Sequence, residues 1–136
     1  MDGYAARLVE TGRRVGLGAF EEHEVDGRKH SGMAAEASAL RTLIPAGYAT
    51  VMLDERGRAM TSPDLAQRLA RHRDAATDVA FVIGGADGLD PALRAEADLL
   101  LSFGPMVWPH ALARVMLVEQ LFRAASILAG TPYHRA

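Results

Sequence analysis

Apolar and polar positions alternate along the chain with helical and strand periods in turn. Tyr4, Leu8 and Val15 fall near one face and Arg7, Glu10, Arg13 and Arg14 are polar, which predicts a short helix over Tyr4–Arg14. Leu17–Val25 reads as a strand of weak alternation, interrupted by Gly18, and the polar run Asp26–Gly32 as a loop. Met33–Leu43 is rich in strong helix formers and stops at Pro45-Ala46-Gly47. Tyr48–Leu53 has the composition of a short buried strand, and Asp54-Glu55-Arg56-Gly57-Arg58 that of a charged turn. Ser62-Pro63-Asp64 offers a hydroxyl cap, a proline at the first helical position and an acid in the first turn, opening a helix that ends near Asp74. Val79–Ile83 is apolar throughout, as strands covered on both faces are. Asp90-Pro91 opens a helix through Glu96, Leu99–Phe103 is a further short strand, and Pro109 opens the longest helix, running to about Ala129. Strict alternation of helix and strand predicts an α/β domain with a mainly parallel sheet and helices on both faces.

One detail is awkward. Such domains usually begin with a strand, because the first helix needs a sheet face to cover, whereas here a helix comes first. The pattern raises the expectation of a strand missing from the front.

Composition narrows the class. A length of 136 residues fits one domain, 1–136, and 49% hydrophobic residues supply a core without staples. The absence of cysteine excludes a disulfide framework, a thiolate zinc site and a cysteine nucleophile. His23, His30, His72, His110 and His134 have no partner at ligand spacing, so no metal is expected. The apolar runs are far shorter than a membrane span and Met1–Ala5 has no signal-peptide character, which gives a cytoplasmic expectation. The net charge of −2 advertises no broad basic field for nucleic acid, and DNA is not expected as a partner. Lys29 is the single lysine; every other basic residue is arginine. Arginine makes planar, bidentate contacts to phosphate, but a compositional bias of the source genome gives the same pattern.

Four stretches carry candidate chemistry. Gly84-Gly85-Ala86-Asp87-Gly88 follows the most apolar strand, where ligands of open parallel sheets bind. Its spacing matches neither the dinucleotide fingerprint nor a Walker loop. It is either a ligand loop or a tight turn needing positive φ. Leu53-Asp54-Glu55-Arg56-Gly57 ends the preceding strand, as a wall of the same pocket or as a solvated turn. In the last helix Leu112, Val115, Met116, Val118, Leu121, Phe122 and Ala125 form an apolar stripe, core or oligomer seam. Glu119 and Arg123 are spaced for an ion pair, and His110 at the helix start is a base, a donor or a capping residue. The tail Pro132-Tyr133-His134-Arg135 is a frayed end or a set able to stack on bases and pair with phosphate.

In this order these pieces resemble the RlmH family, ribosomal RNA large-subunit methyltransferases of the SPOUT (trefoil-knot) superfamily. The matching residues are Leu53–Gly57, Phe81–Leu89, Trp108-Pro109-His110 with Arg114, Glu119–Ala124 and Pro132–Arg135, spread over the chain from about Gly27 to Arg135. Each piece is weak alone; the ordered set is specific. The resemblance implies a single SPOUT-like domain with a C-terminal trefoil knot, S-adenosylmethionine as methyl donor, an obligate homodimer, and methylation of N3 of a pseudouridine in 23S rRNA of the ribosome. Carried over by position, Leu53, Gly84, Phe103, Gly104, Pro105, Met106, Val107 and Trp108 would contact the cofactor. Tyr133 and His110 would bind substrate, His134 would assist deprotonation, and Arg135 or Arg114 would bind phosphate or stabilise charge. Family members typically begin with one more strand. That departure keeps a rival expectation open, an inactive, trimmed member that binds a ligand or a partner.

Overall fold

The computed structural model describes residues 3–25, 32–85, 88–106 and 108–135. In chain order these form α1 (Gly3–Arg14), α2 (Met33–Leu43), β1 (Ala49–Ala59), α3 (Ser62–Asp74), β2 (Val79–Ile83), α4 (Pro91–Arg94), β3 (Leu99–Ser102) and α5 (His110–Ala129), followed by a 3₁₀ turn, Pro132–Arg135. They pack as two compact units. One holds α2, the three strands, α4 and the entry to α5 up to Ala111. The other holds α1, α3, α5 from Leu112 onward and the tail.

The sheet unit is a three-stranded parallel sheet in the order β2-β1-β3. Side chains alternate across a strand, and Met52 and Val82 pack with Ala37 and Leu40 of α2 and with Leu89 and Leu93 beside and on α4. The alternate positions Val51 and Leu101 are buried as well, which is why these strands read as continuously apolar. The starts of β1 and β3 are stitched by side chains. Asp98 Oδ2 accepts the Thr50 N–H at 2.7 Å, and Thr50 Oγ1 accepts the Asp98 N–H at 3.1 Å. The short α4 is capped by Asp90, which accepts the Ala92 N–H at 2.8 Å. It ends after Arg94 instead of running through Glu96, whose carboxylate is drawn to Arg41 of α2 at 2.9 Å.

In the helical unit, Ala5 and Leu8 of α1, Leu65, Ala66 and Leu69 of α3, and Leu117, Val118, Leu121 and Phe122 of α5 are buried. The cap of α3 is Thr61, one residue earlier than the sequence predicts. Its hydroxyl accepts the Asp64 N–H at 3.1 Å while Asp64 Oδ2 accepts the Thr61 N–H at 3.2 Å, a capping box. Ser62, freed from that task, donates to Gln120 Oε1 at 2.6 Å.

Three further expectations are corrected. Leu17–Val25 forms no strand in the described residues. Its run Glu21-Glu22-His23-Glu24 offers no apolar face to a sheet, and Glu22 is held by Arg114. The charged stretch Asp54–Arg58 lies inside β1, which continues to Ala59. Leu101 is the ladder partner of both Leu53 and Arg58, so Asp54-Glu55-Arg56-Gly57 bulge out between them. The turn-like composition is thus a bulge within a strand. On α5 the expected apolar stripe is buried at Val118, Leu121, Phe122 and Ala125, and Ala113, Leu117 and Ala124 join it, while its members Leu112 and Val115 are exposed.

Candidate active site

Parallel pairing aligns the strand ends. Leu53 of β1 lies opposite Ile83 of β2 and Leu101 of β3. The chain leaving β2 begins at Gly84, and the chain leaving β3 at Phe103-Gly104 just after Ser102, at the same end of the sheet. Crevices beyond the carboxyl ends of parallel strands are the usual ligand sites of α/β folds.

The Gly84 loop folds back on itself. A Cβ on Gly84 would lie 2.9 Å from the carbonyl carbon of Gly88, so only glycine permits the approach. Gly88 carries the positive φ, +79°, that a tight turn demands. The tight-turn reading therefore holds at Gly88, and the close approach at Gly84 is to the loop's own backbone. Two side chains pin it. Glu36 of α2 accepts the Gly85 N–H on Oε1 at 2.9 Å. His110 at the start of α5 donates from Nδ1 to the Gly84 carbonyl at 3.0 Å; a carbonyl only accepts, so Nδ1 carries a hydrogen. That bond ties the entry of the long helix to the tip of β2.

The loop after β3 is anchored by Ser102, which is buried. Its hydroxyl accepts the Gly104 N–H at 2.9 Å and lies within donating distance of the Glu55 carbonyl (3.2 Å) and the Gly104 carbonyl (3.0 Å). Gly104 has φ +108° and open space where a side chain would stand. Beyond it Met106 and Trp108 are exposed, and Phe103 and Leu53 are half-buried. Val107 lies outside the described residues, as do Ala86 and Asp87 of the glycine loop. On the β1 side the Asp54 carboxylate is buried. It accepts the Arg56 N–H at 2.8 Å and pairs with Arg94 at 3.4 Å, so the solvated-turn reading fails for this residue.

The remaining candidates stand in the helical unit. Arg114 is gripped by both oxygens of Glu22, its Nη2 donating to Oε1 at 2.7 Å. Glu119 and Arg123 form the pair their spacing predicts, at 2.8 Å, but one that is largely withdrawn from solvent. Tyr133 joins it, its hydroxyl donating to Glu119 Oε1 at 3.0 Å. Burial, then the hydrogen bonds to Glu119 and Tyr4, push the Tyr133 hydroxyl up to about 12, so it stays protonated at any physiological pH. The backbone of His134 and Arg135 continues the 3₁₀ turn; their side chains lie outside the described set.

A family model described as "Predicted SPOUT methyltransferase" matches residues 1–134. The chain belongs to the SPOUT methyltransferase family. It is similar to proteins named "Ribosomal RNA large subunit methyltransferase H" from several bacteria. The relative from Ruegeria pomeroyi is 58% identical over 136 residues, covering 99% of this chain and 87% of the relative. The relative from Roseobacter denitrificans is 62% identical over 133 residues, covering 97% and 85%. The one from Jannaschia is 59% identical over 136 residues, covering 99% and 98%.

Seen as a SPOUT methyltransferase, the chain shows what sequence reasoning missed. Glu36 and Ser102 hold the two loops, yet each is one polar residue in a stretch without other signal. Glu119 was legible as half of an ion pair, but its bond to Tyr133 spans a turn that no periodicity reveals. Among the described residues no three metal-ligating side chains converge, and no helix is long and apolar enough to cross a membrane.

Proposed function

We propose that this SPOUT methyltransferase transfers a methyl group from S-adenosylmethionine to N3 of a pseudouridine in 23S rRNA of the large ribosomal subunit. It does so in the cytoplasm, as a homodimer of single-domain chains whose pocket is closed by a C-terminal knot. The observation that carries the reading is the alignment of Leu53, Gly84 and the Ser102–Gly104 turn at one end of the sheet, closed by the His110–Gly84 bond, in a chain whose relatives bear an rRNA methyltransferase name.

The residues present fit a sulfonium nucleoside. Gly84 and Gly104 bring bare backbone to the strand tips, suited to hydroxyl and amine groups. Leu53, Phe103, Met106 and Trp108 offer apolar surface for a purine face, with Pro105 and Val107 completing the stretch. When bound, S-adenosylmethionine supplies an already activated methyl group, so positioning provides most of the catalysis.

The target nitrogen carries a proton of high pKa, and a base beside it makes the nucleophile. His134 takes that role, with Arg135 stabilising the charge that develops. Tyr133 enters on the substrate side as the hinge of the tail, and His110 by holding the Gly84 carbonyl. Arg114 binds phosphate by exchanging the Glu22 carboxylate for a phosphate of the same fork geometry. Exposed Leu112 and Val115 on α5 are apolar surface available to a second copy.

The test is methyl transfer from labelled S-adenosylmethionine to ribosomes lacking the modification. Label at a pseudouridine of 23S rRNA is expected; label in another RNA, or none with cofactor bound, overturns the assignment. His134→Ala should lower kcat by about a hundredfold with cofactor affinity unchanged in calorimetry, and an undiminished kcat removes His134 from the role.

A further inference from the structure

The tail of this chain is held by more than its own backbone. The six residues after Gly130 would fray if left to themselves. Here the Tyr133 ring packs on Phe122 with centroids 4.5 Å apart, and the Arg123 guanidinium lies 4.9 Å from its centroid. The hydroxyl ends on Glu119 Oε1 at 3.0 Å. That same oxygen accepts Arg123 Nε at 2.9 Å, while Glu119 Oε2 accepts Gln120 Nε2 at 3.0 Å. Gln120 is in turn fixed by Ser62 at the start of α3. With Arg123 Nη2 also at 2.8 Å, the Glu119 carboxylate meets four donors from three side chains, which restrict its rotation.

We propose that Glu119 is a positioning residue that latches the C-terminal tail through Tyr133, and so fixes the 3₁₀ turn on which His134 and Arg135 follow. The Tyr133 hydroxyl donates its one hydrogen to Glu119 Oε1 at 3.0 Å, with Tyr4 of α1 as a second neighbour of the hydroxyl. It is a hinge pin for the turn, not a proton donor to substrate. Arg123 serves twice: it neutralises Glu119 and lies over the Tyr133 ring. The latch is a property of the helical unit by itself. Its link to catalysis rests on the methyl-transfer reading given above.

The experiment uses the full chain with Glu119→Ala, Glu119→Gln, Tyr133→Phe and the Glu119→Ala/Tyr133→Phe pair. Hydrogen exchange of the backbone amides of residues 133–135 reads the latch without any activity. Protection there should fall in Glu119→Ala and Tyr133→Phe, and recover in Glu119→Gln, whose amide oxygen still accepts the hydroxyl. Methyl transfer to ribosomes reads the consequence. Both single variants should lose about tenfold or more in kcat with KM for ribosomes and cofactor affinity unchanged, and the double variant should lose no more than either alone. Tail protection unmoved in both single variants overturns the latch. Additive losses in kcat, or a loss carried by KM, make Glu119 a direct substrate ligand and overturn it equally. If the unaltered chain methylates no ribosome, the function assigned above fails, and the exchange readout still decides the latch.

Discussion

Gly57 shows how far one residue constrains the sheet. It sits in the bulge of β1, and a Cβ there would lie 2.7 Å from the carbonyl carbon and oxygen of Leu100, which are backbone atoms and cannot swing aside. Gly57→Ala should destabilise the fold by about 1–3 kcal/mol, read as a lowered midpoint in denaturant; an unchanged midpoint means the bulge relaxes at no cost. At Tyr133 the prediction concerns pH. The hydroxyl pKa is raised from 10.0 to about 12, so the fold favours the protonated form. That stability is fully present below pH 10 and is lost as pH climbs from 10 toward 12. Thermal unfolding across this interval should show a decline that Tyr133→Phe flattens, and equal slopes for both chains would count against the bond from this half-buried hydroxyl to Glu119. The sequence marks Gly57 as a turn former and Tyr133 as part of a polar tail. It marks neither the carbonyl beneath the one nor the carboxylate beside the other, because both partners are distant along the chain.

Elements were legible where period and punctuation agreed. Met33–Leu43 and Val79–Ile83 stand where propensity and apolar run place them, one ended by a proline-glycine break and the other by glycines. Where the two disagreed the tertiary contacts won. Asp54–Arg58 has the composition of a turn but stays in β1 because Arg58 and Ala59 find ladder partners in Leu101 and Ser102. Leu17–Val25 has β-branched and aromatic residues but too many carboxylates to cover a sheet face. Register between β1 and β3 is set by the Thr50–Asp98 exchange as much as by apolar pattern. Asp98→Ala removes the acceptor of the Thr50 N–H and should cost about 1–3 kcal/mol, measured by equilibrium unfolding. Asp98→Asn, which retains an acceptor oxygen, should cost less; equal losses would locate the effect elsewhere.

For the whole molecule the testable property is association. Leu112 and Val115, members of a stripe expected to be core or oligomer seam, are exposed on α5. Two exposed apolar side chains three residues apart share one helix face, a surface that a partner can cover. If a second copy covers Leu112 and Val115, Leu112→Glu with Val115→Glu should convert a dimer to monomers in sedimentation, with helix content by circular dichroism preserved. A chain that is monomeric before substitution ends the homodimer proposal. Binding of the proposed ribosomal substrate by a chain of net charge −2 should also depend only shallowly on salt, since few phosphates would be neutralised.

The sequence by itself determined the alternation of helix and strand, the parallel α/β class, the glycine loop after the most apolar strand and the ordered motifs that place the chain among SPOUT methyltransferases. The first three are local properties, written in periodicity, propensity and spacing; the last is a resemblance carried by motifs in serial order. Tertiary structure alone decided that the charged stretch of β1 is a bulge, that Glu36 and Ser102 hold the two loops, that Glu22 grips Arg114, and that Glu119 holds Tyr133. Each of these joins a polar group to a partner many residues away or across a turn. A hydrogen bond is specific in distance and direction, so it leaves no period in the sequence and exists only once the chain has brought its two ends together.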